Sequence, residues 1–136
     1  MKSIKFKFRR LPSEIFGSIY RPYVTALLQK KDKSGWRKAR MIVDTGADYS
    51  ILPKSYADYL GIDLITDCIA QSTHGIGGME TVYILKGLVL KIGNFERKIP
   101  IGFLDRDDVP PLLGRHECLE TFRIVLDKQT ITLLSN

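Results

Sequence analysis

Met41-Ile-Val-Asp-Thr-Gly-Ala-Asp48 is the stretch that decides how this chain is read. An apolar strand, beginning at Ala39, delivers one carboxylate, Asp44, into a tight turn. Gly46 permits a turn conformation that a side chain hinders. Thr45 offers a hydroxyl to the surrounding backbone, and Ala47 keeps the turn small. The turn therefore projects a carboxylate from the end of a buried strand, held by backbone amides. Taken alone, Asp-Thr-Gly reads equally well as a plain hairpin turn.

The flanking sequence surrounds this turn with short extended runs. Lys2 to Arg9 alternates charged and apolar residues, with Ile4, Phe6 and Phe8 on one face, which predicts a half-exposed strand. Leu11-Pro-Ser13 breaks it, and Tyr20 to Leu28 is the next extended stretch. Lys30 to Gly35 is a polar turn of the hairpin type. Pro53 to Gly61 predicts a short helix, with Pro at its start and Gly at its end. Thr73 to Gly78 is a flexible turn between extended runs. Thr81 to Ile92 and Phe95 to Leu104 are strands joined at Gly93-Asn94. Arg115 to Phe122 is a second short helix candidate, and Arg123 to Leu126 and Thr130 to Leu134 close the chain as strands. The sum is a mostly-β domain with one or two short helices.

Length and charge bound the function. A chain of 136 residues is one domain, too short for a two-lobed enzyme with a full domain per lobe. It is also too short for a (β/α)₈ barrel of ~250 residues. The net charge of +6 is unevenly spread. Residues 1–40 hold 12 Lys/Arg against Glu14 and Asp32, a balance of +10, and the remainder is −4. A basic arm can meet nucleic acid or an anionic surface. Its alternation with apolar residues favours a solvated, charged sheet edge instead, so neither nucleic acid nor a membrane is expected as a partner. No run approaches the ~18 apolar residues of a membrane span. Two cysteines, Cys68 and Cys118, imply no dense disulfide framework. A cytoplasmic location with free thiols is the default expectation, although a mature secreted chain without its leader reads the same way.

Three segments, in order, resemble the retropepsin family, the single-domain aspartic proteases of retroviruses and their cellular relatives. Ile42-Val-Asp-Thr-Gly-Ala-Asp-Tyr-Ser-Ile-Leu52 is similar to the family's catalytic motif and following strand. Gly75-Ile-Gly-Gly78 is similar to the tip of its flap, and Leu112-Leu-Gly-Arg115 to its apolar-apolar-Gly-Arg segment. The match by order and spacing runs from about Tyr20 to Leu134. It suggests a retropepsin-like domain over residues 20–136 and leaves a basic N-terminal strand or extension over 1–19.

The resemblance implies a closed β-barrel and an endopeptidase that needs no metal or cofactor. It implies Asp44 as the catalytic aspartate, with Thr45, Gly46 and Ala47 forming the turn beside the substrate. It also implies an ion pair between Asp48 and Arg115, and a flap of Gly75, Ile76, Gly77 and Gly78 closing over an extended peptide. Peptide hydrolysis by water needs a base and an acid. One Asp44 cannot be both, and the chain has no second Asp-Thr/Ser-Gly, so the mechanism calls for a homodimer. Two-lobed relatives often carry Ser or Thr where Ala47 stands. A methyl group cannot donate a hydrogen bond to a carboxylate, which implies a less acidic working range.

Competing sites fit less well. Cys68, His74, His116 and Cys118 match no familiar zinc spacing. Gly75-Ile-Gly-Gly78 lacks the Lys-Ser/Thr of a phosphate loop. His74-Gly-Ile-Gly lacks the Gly-x-Ser-x-Gly partner of an α/β-hydrolase. Asp105, Asp107 and Asp108 have no downstream Glu to complete a calcium loop. Beside an active endopeptidase, a catalytically silent dimer that binds peptides or protein partners stays open. So does, more weakly, a basic β-domain binding nucleic acid through its arm.

Overall fold

Short extended runs make up most of the sequence, and strands dominate the fold. The computed structural model describes residues 1–75 and 77–136. Its first strands are β1 (Lys2–Lys7), β2 (Arg9–Ser13), β3 (Gly17–Arg21), β4 (Tyr23–Gln29), β5 (Trp36–Val43) and β6 (Ser50–Pro53). The helix α1 (Lys54–Leu60) follows, then β7 (Ile69–Gly75), β8 (Gly78–Ile92) and β9 (Phe95–Leu104). The two-residue β10 (Leu112–Leu113), a 3₁₀ turn (Leu119–Thr121), β11 (Arg123–Asp127) and β12 (Thr130–Ser135) complete the chain.

Seven strands form the main sheet in the order β4-β5-β10-β6-β9-β8-β7, and β4 also pairs with β8. The sheet therefore curls round on itself, with β7 outside the ring. Alternate residues line its interior: Val24, Ala26 and Leu28 on β4, Ala39, Met41 and Val43 on β5, and Leu88, Leu90 and Ile92 on β8 are all buried. Successive side chains of a strand point to opposite faces, so one side of each faces the interior. A second sheet, β1-β12-β11, packs beside the ring. Its Ile131 and Leu133 are fully buried, and Ile4, Phe6 and Phe8 lie half-buried against the core. The fold is mostly β, as the sequence implied, and the β4–β8 pairing closes its main sheet into a ring. Among the described residues, no helix is long and apolar enough to cross a membrane.

The helix α1 starts after Pro53 in extended conformation and ends at Gly61, whose φ of +74° is the left-handed C-terminal cap. Ala57 and Leu60 are its buried face. Three local expectations differ from the structure. Leu11-Pro-Ser13 does not break a strand but lies in β2, which pairs with β3 as a separate hairpin. An edge position tolerates Pro12, which has no N–H to donate. The Tyr20 to Leu28 run is divided at Pro22 between β3 and β4. Arg115 to Phe122 forms only a 3₁₀ turn. Glu117 has a φ of +54° that no right-handed helix accepts, and just before it the Arg115 N–H donates to Ala47 O and the His116 N–H to Asp48 O.

Candidate active site

The short strand β10 builds the floor of the site. It lies between β5, to which it is parallel, and β6, to which it is antiparallel. The Ile42 N–H donates to Pro111 O and the Asp44 N–H to Leu113 O, both at 2.9 Å. Asp44 is thus tied to the sheet at its own amide, at the point where β5 ends. The turn closes behind it. The Gly46 N–H donates to Asp44 Oδ1 at 3.0 Å, and the Ala47 N–H to Asp44 O at 3.2 Å. A Cβ at residue 46 would crowd Asp44 Oδ1 at 3.3 Å. Asp44 is half-buried, Ala47 likewise, and Thr45 and Gly46 are exposed.

Arg115 reaches the turn from the far end of the chain. Its Nη1 donates to Thr45 O at 2.6 Å and its Nη2 to Asp48 Oδ1 at 2.7 Å. One planar guanidinium therefore braces two points of the Asp44 turn, which the point charge of a lysine cannot do. The segment before Arg115 is seated with little tolerance. Gly114 lies directly against the Tyr49 backbone, and its N–H donates to the Ser50 hydroxyl at 3.0 Å. Ser50 is fully buried. It touches Cys118, whose thiol burial pushes up to about 11 against the opposing pull of that hydroxyl. The Tyr49 phenol is raised above its ordinary value by burial first and by neighbouring Asp48 second.

The glycine-rich segment stands on a separate pair of strands. Strands β7 and β8 pair from Ile69↔Ile84 to Gly75↔Gly78, so the hairpin is longer than the sequence turn over 73–78. Gly77 is in its turn and Gly78 has a φ of +112° that suits glycine; Ile76 lies outside the described residues. Arg106 anchors the β8 side: it bonds Glu80 through Nε at 2.7 Å and Nη2 at 3.3 Å, and Asp108 through Nη1 at 2.6 Å. These carboxylates raise the Arg106 pKa further, and Arg106 holds Asp108 below the usual carboxylate range. No hydrogen bond links the hairpin tip to the Asp44 turn among the described residues.

The structure thus brings Asp44, Thr45, Gly46, Ala47, Asp48 and Arg115 together and carries Gly75, Gly77 and Gly78 on another element. Reading the sequence missed Ser50, Tyr49 and Gly114 as the packing beneath Arg115. The available signal was a lone hydroxyl, Ser50, at the start of the apolar run Ile51-Leu52.

The family model described as "Aspartyl protease" matches residues 33–116, more than half of the chain. No curated protein matches this chain. Among solved structures, the chain is similar to a retropepsin-like aspartic protease from Rickettsia conorii, with 26% sequence identity and a TM-score of 0.69. That likeness covers 97% of this chain and 89% of the other.

Proposed function

This chain belongs to the aspartyl protease family, and from that premise we propose that it is an endopeptidase whose active site pairs Asp44 from two identical copies. Family and fold support a protease-type function. The observation that carries the finer reading is the Asp44 turn. Each chain presents one carboxylate, with Oδ1 held by the Gly46 amide and the turn braced by Arg115. A single chain supplies one half of an acid–base pair. The exposed Thr45 and Gly46 are the residues a two-fold neighbour covers, like against like.

Two carboxylates at hydrogen-bond distance hold one proton between them, behaviour for which aspartic proteases are the standard example. The ionised carboxylate takes a proton from water, and the water oxygen bonds to the peptide carbonyl carbon. The protonated carboxyl gives its proton to the carbonyl oxygen. The tetrahedral species then collapses: one of its hydroxyls returns a proton to the pair as the C=O bond re-forms, the C–N bond breaks, and the leaving nitrogen takes a proton from the pair. The products are a carboxylic acid and an amine, and the pair returns to its single-proton state.

The substrate is an extended peptide, with the Gly75 to Gly78 tip, Ile76 included, as the closing flap. Residues 20–136 are the catalytic domain and 1–19 its basic extension. The two thiols, one buried and one half-buried and both unbonded, suit a reducing compartment such as the cytoplasm.

Cleavage of a peptide library, run beside sedimentation, tests the reading. Wild type cleaves, pepstatin blocks it, and Asp44→Asn abolishes cleavage while keeping the fold. A wild-type chain that dimerises, binds peptides and cuts none would instead make it a silent binding dimer.

A further inference from the structure

The glycine-rich hairpin leaves the main sheet before it reaches its tip. β8 pairs with β9 only as far as Val82↔Leu104, and β7 pairs with β8 alone. Residues 72–75 and 78–81 are therefore two strands without a third among the described residues. Such a two-stranded piece is marginal by itself in water. Ser72, Thr73, His74, Met79 and Thr81 are exposed, and Glu80 is half-buried. Among the described residues, the side-chain hydrogen bonds that cross from this piece to the rest of the chain are those of Glu80 with Arg106, to Nε at 2.7 Å and Nη2 at 3.3 Å.

Arg106 is itself fixed from below. Its carbonyl accepts the Lys54 N–H at 3.1 Å, and Asp107 Oδ1 accepts the Ser55 N–H at 2.8 Å. These are the first two amides of α1, which need partners outside the helix, and Pro53 offers no side-chain cap. The loop over 105–108 is thus tied to α1. Its Asp108 carboxylate holds the remaining guanidinium nitrogen, Nη1, at 2.6 Å. A few residues on, Pro111 O and Leu113 O take the amides of Ile42 and Asp44. The loop therefore runs from α1 to the floor beneath Asp44, and Arg106 reaches out of it to the hairpin.

We infer that Arg106 is a positioning residue for the flap: its fork on Glu80 clamps the base of the hairpin to the loop that leads to the Asp44 floor. This rests on the endopeptidase reading above and names where its flap is held. An isolated exposed ion pair fixes little, but a bidentate arginine–carboxylate pair with a second carboxylate on the same guanidinium does hold a geometry. A lysine has no such fork. A hairpin held at its base loses less freedom when its tip closes on a peptide, so binding costs less. The Asp44 turn is braced separately, by Arg115. Loss of the clamp therefore weakens peptide binding and leaves the bond-breaking step nearly unchanged.

Hydrogen exchange of the full chain, run beside peptide kinetics, tests this with Glu80→Ala, Arg106→Ala and the double variant. The Arg106 and Glu80 side chains are 43% and 37% exposed, so an unchanged circular dichroism spectrum serves as the folding control. In either single variant the amides of residues 72–75 and 77–81 exchange about threefold faster or more, while those of β4 and β5 keep their wild-type rates. KM rises about three- to tenfold, the inhibition constant of pepstatin rises with it, and kcat stays within about twofold. The double variant is no worse than the worse single one, because each change removes the same interaction. Additive effects, or hairpin exchange that matches wild type, overturn the clamp and leave the endopeptidase standing. A lowered kcat at unchanged KM moves the role of Arg106 to the Asp44 floor and likewise overturns it. A wild type that cleaves nothing, and whose hairpin exchange pepstatin leaves unchanged, sinks the flap reading and this inference together.

Discussion

Arg115 and Asp48 face each other at 2.7 Å, and the same guanidinium donates to the carbonyl of Thr45, the residue after Asp44. Both side chains are substantially exposed, Asp48 at 84%, so the pair adds little to stability, about 0–1 kcal/mol. Its value is positional, because Arg115 decides where the Asp44 turn sits. Arg115→Lys keeps the charge and loses the second bond. Activity falls about 10- to 100-fold, the scale of a small misplacement of the carboxylate proposed to be catalytic. The thermal midpoint moves by a few degrees at most. Equal, small changes in both measurements would show that Arg115 only decorates the surface.

Gly114 is closed to any side chain, since a Cβ there runs into the Tyr49 backbone, which cannot swing aside. Gly114→Ala destabilises the fold by about 3 kcal/mol or more, at the upper end of overpacking costs. It also displaces Arg115. A denaturant titration checks this, and a midpoint within error of wild type contradicts the packing described.

Ala47 lies in the turn with its N–H on Asp44 O. In Ala47→Ser the added hydroxyl can donate to a carboxylate, which favours the ionised form. The acidic limb of the pH–rate profile therefore moves to lower pH. A limb that stays in place or moves upward refutes the expectation.

Cys118 gives a stability prediction at alkaline pH. Burial raises its thiol from 9.0 to about 11, with Ser50 opposing. A raised pKa means that the stabilisation is full below the unfolded value and is lost as pH rises through the folded one. Wild type therefore loses up to about 2–3 kcal/mol between pH 9 and 11 from this group. Cys118→Ala loses less over the same window. Urea midpoints of both proteins across that range decide it, and parallel slopes count against a buried thiol.

Much of the fold was legible because its causes are local. Alternation located β1, extended apolar runs located β4 and β5, Gly93-Asn94 separated β8 from β9, and Pro53 with Gly61 bracketed α1. The failures have long-range causes. Nothing in the composition of Arg115 to Phe122 forbids a helix; the chain leaves the helical region at Glu117, whose φ is +54°, just after the Arg115 and His116 amides are tied to Ala47 and Asp48, far away in sequence. Proline at residue 12 reads as a stop until the edge hairpin that accommodates it is seen.

The sequence alone determined the chemistry available: one Asp-Thr-Gly turn at the end of an apolar strand, in a chain with room for one domain. It did so because a tight turn depends on its own few residues, on Gly46 having no side chain and Asp44 having a neighbouring amide to bind. Tertiary structure alone decided how that carboxylate is aimed. The insertion of Leu112–Leu113 between β5 and β6, the seat of Gly114 on Ser50, and the bond from the Val43 N–H to Pro22 O beside Asp44 all join residues far apart in the chain. Such contacts depend on how the whole sheet closes, and no local window of sequence contains that information.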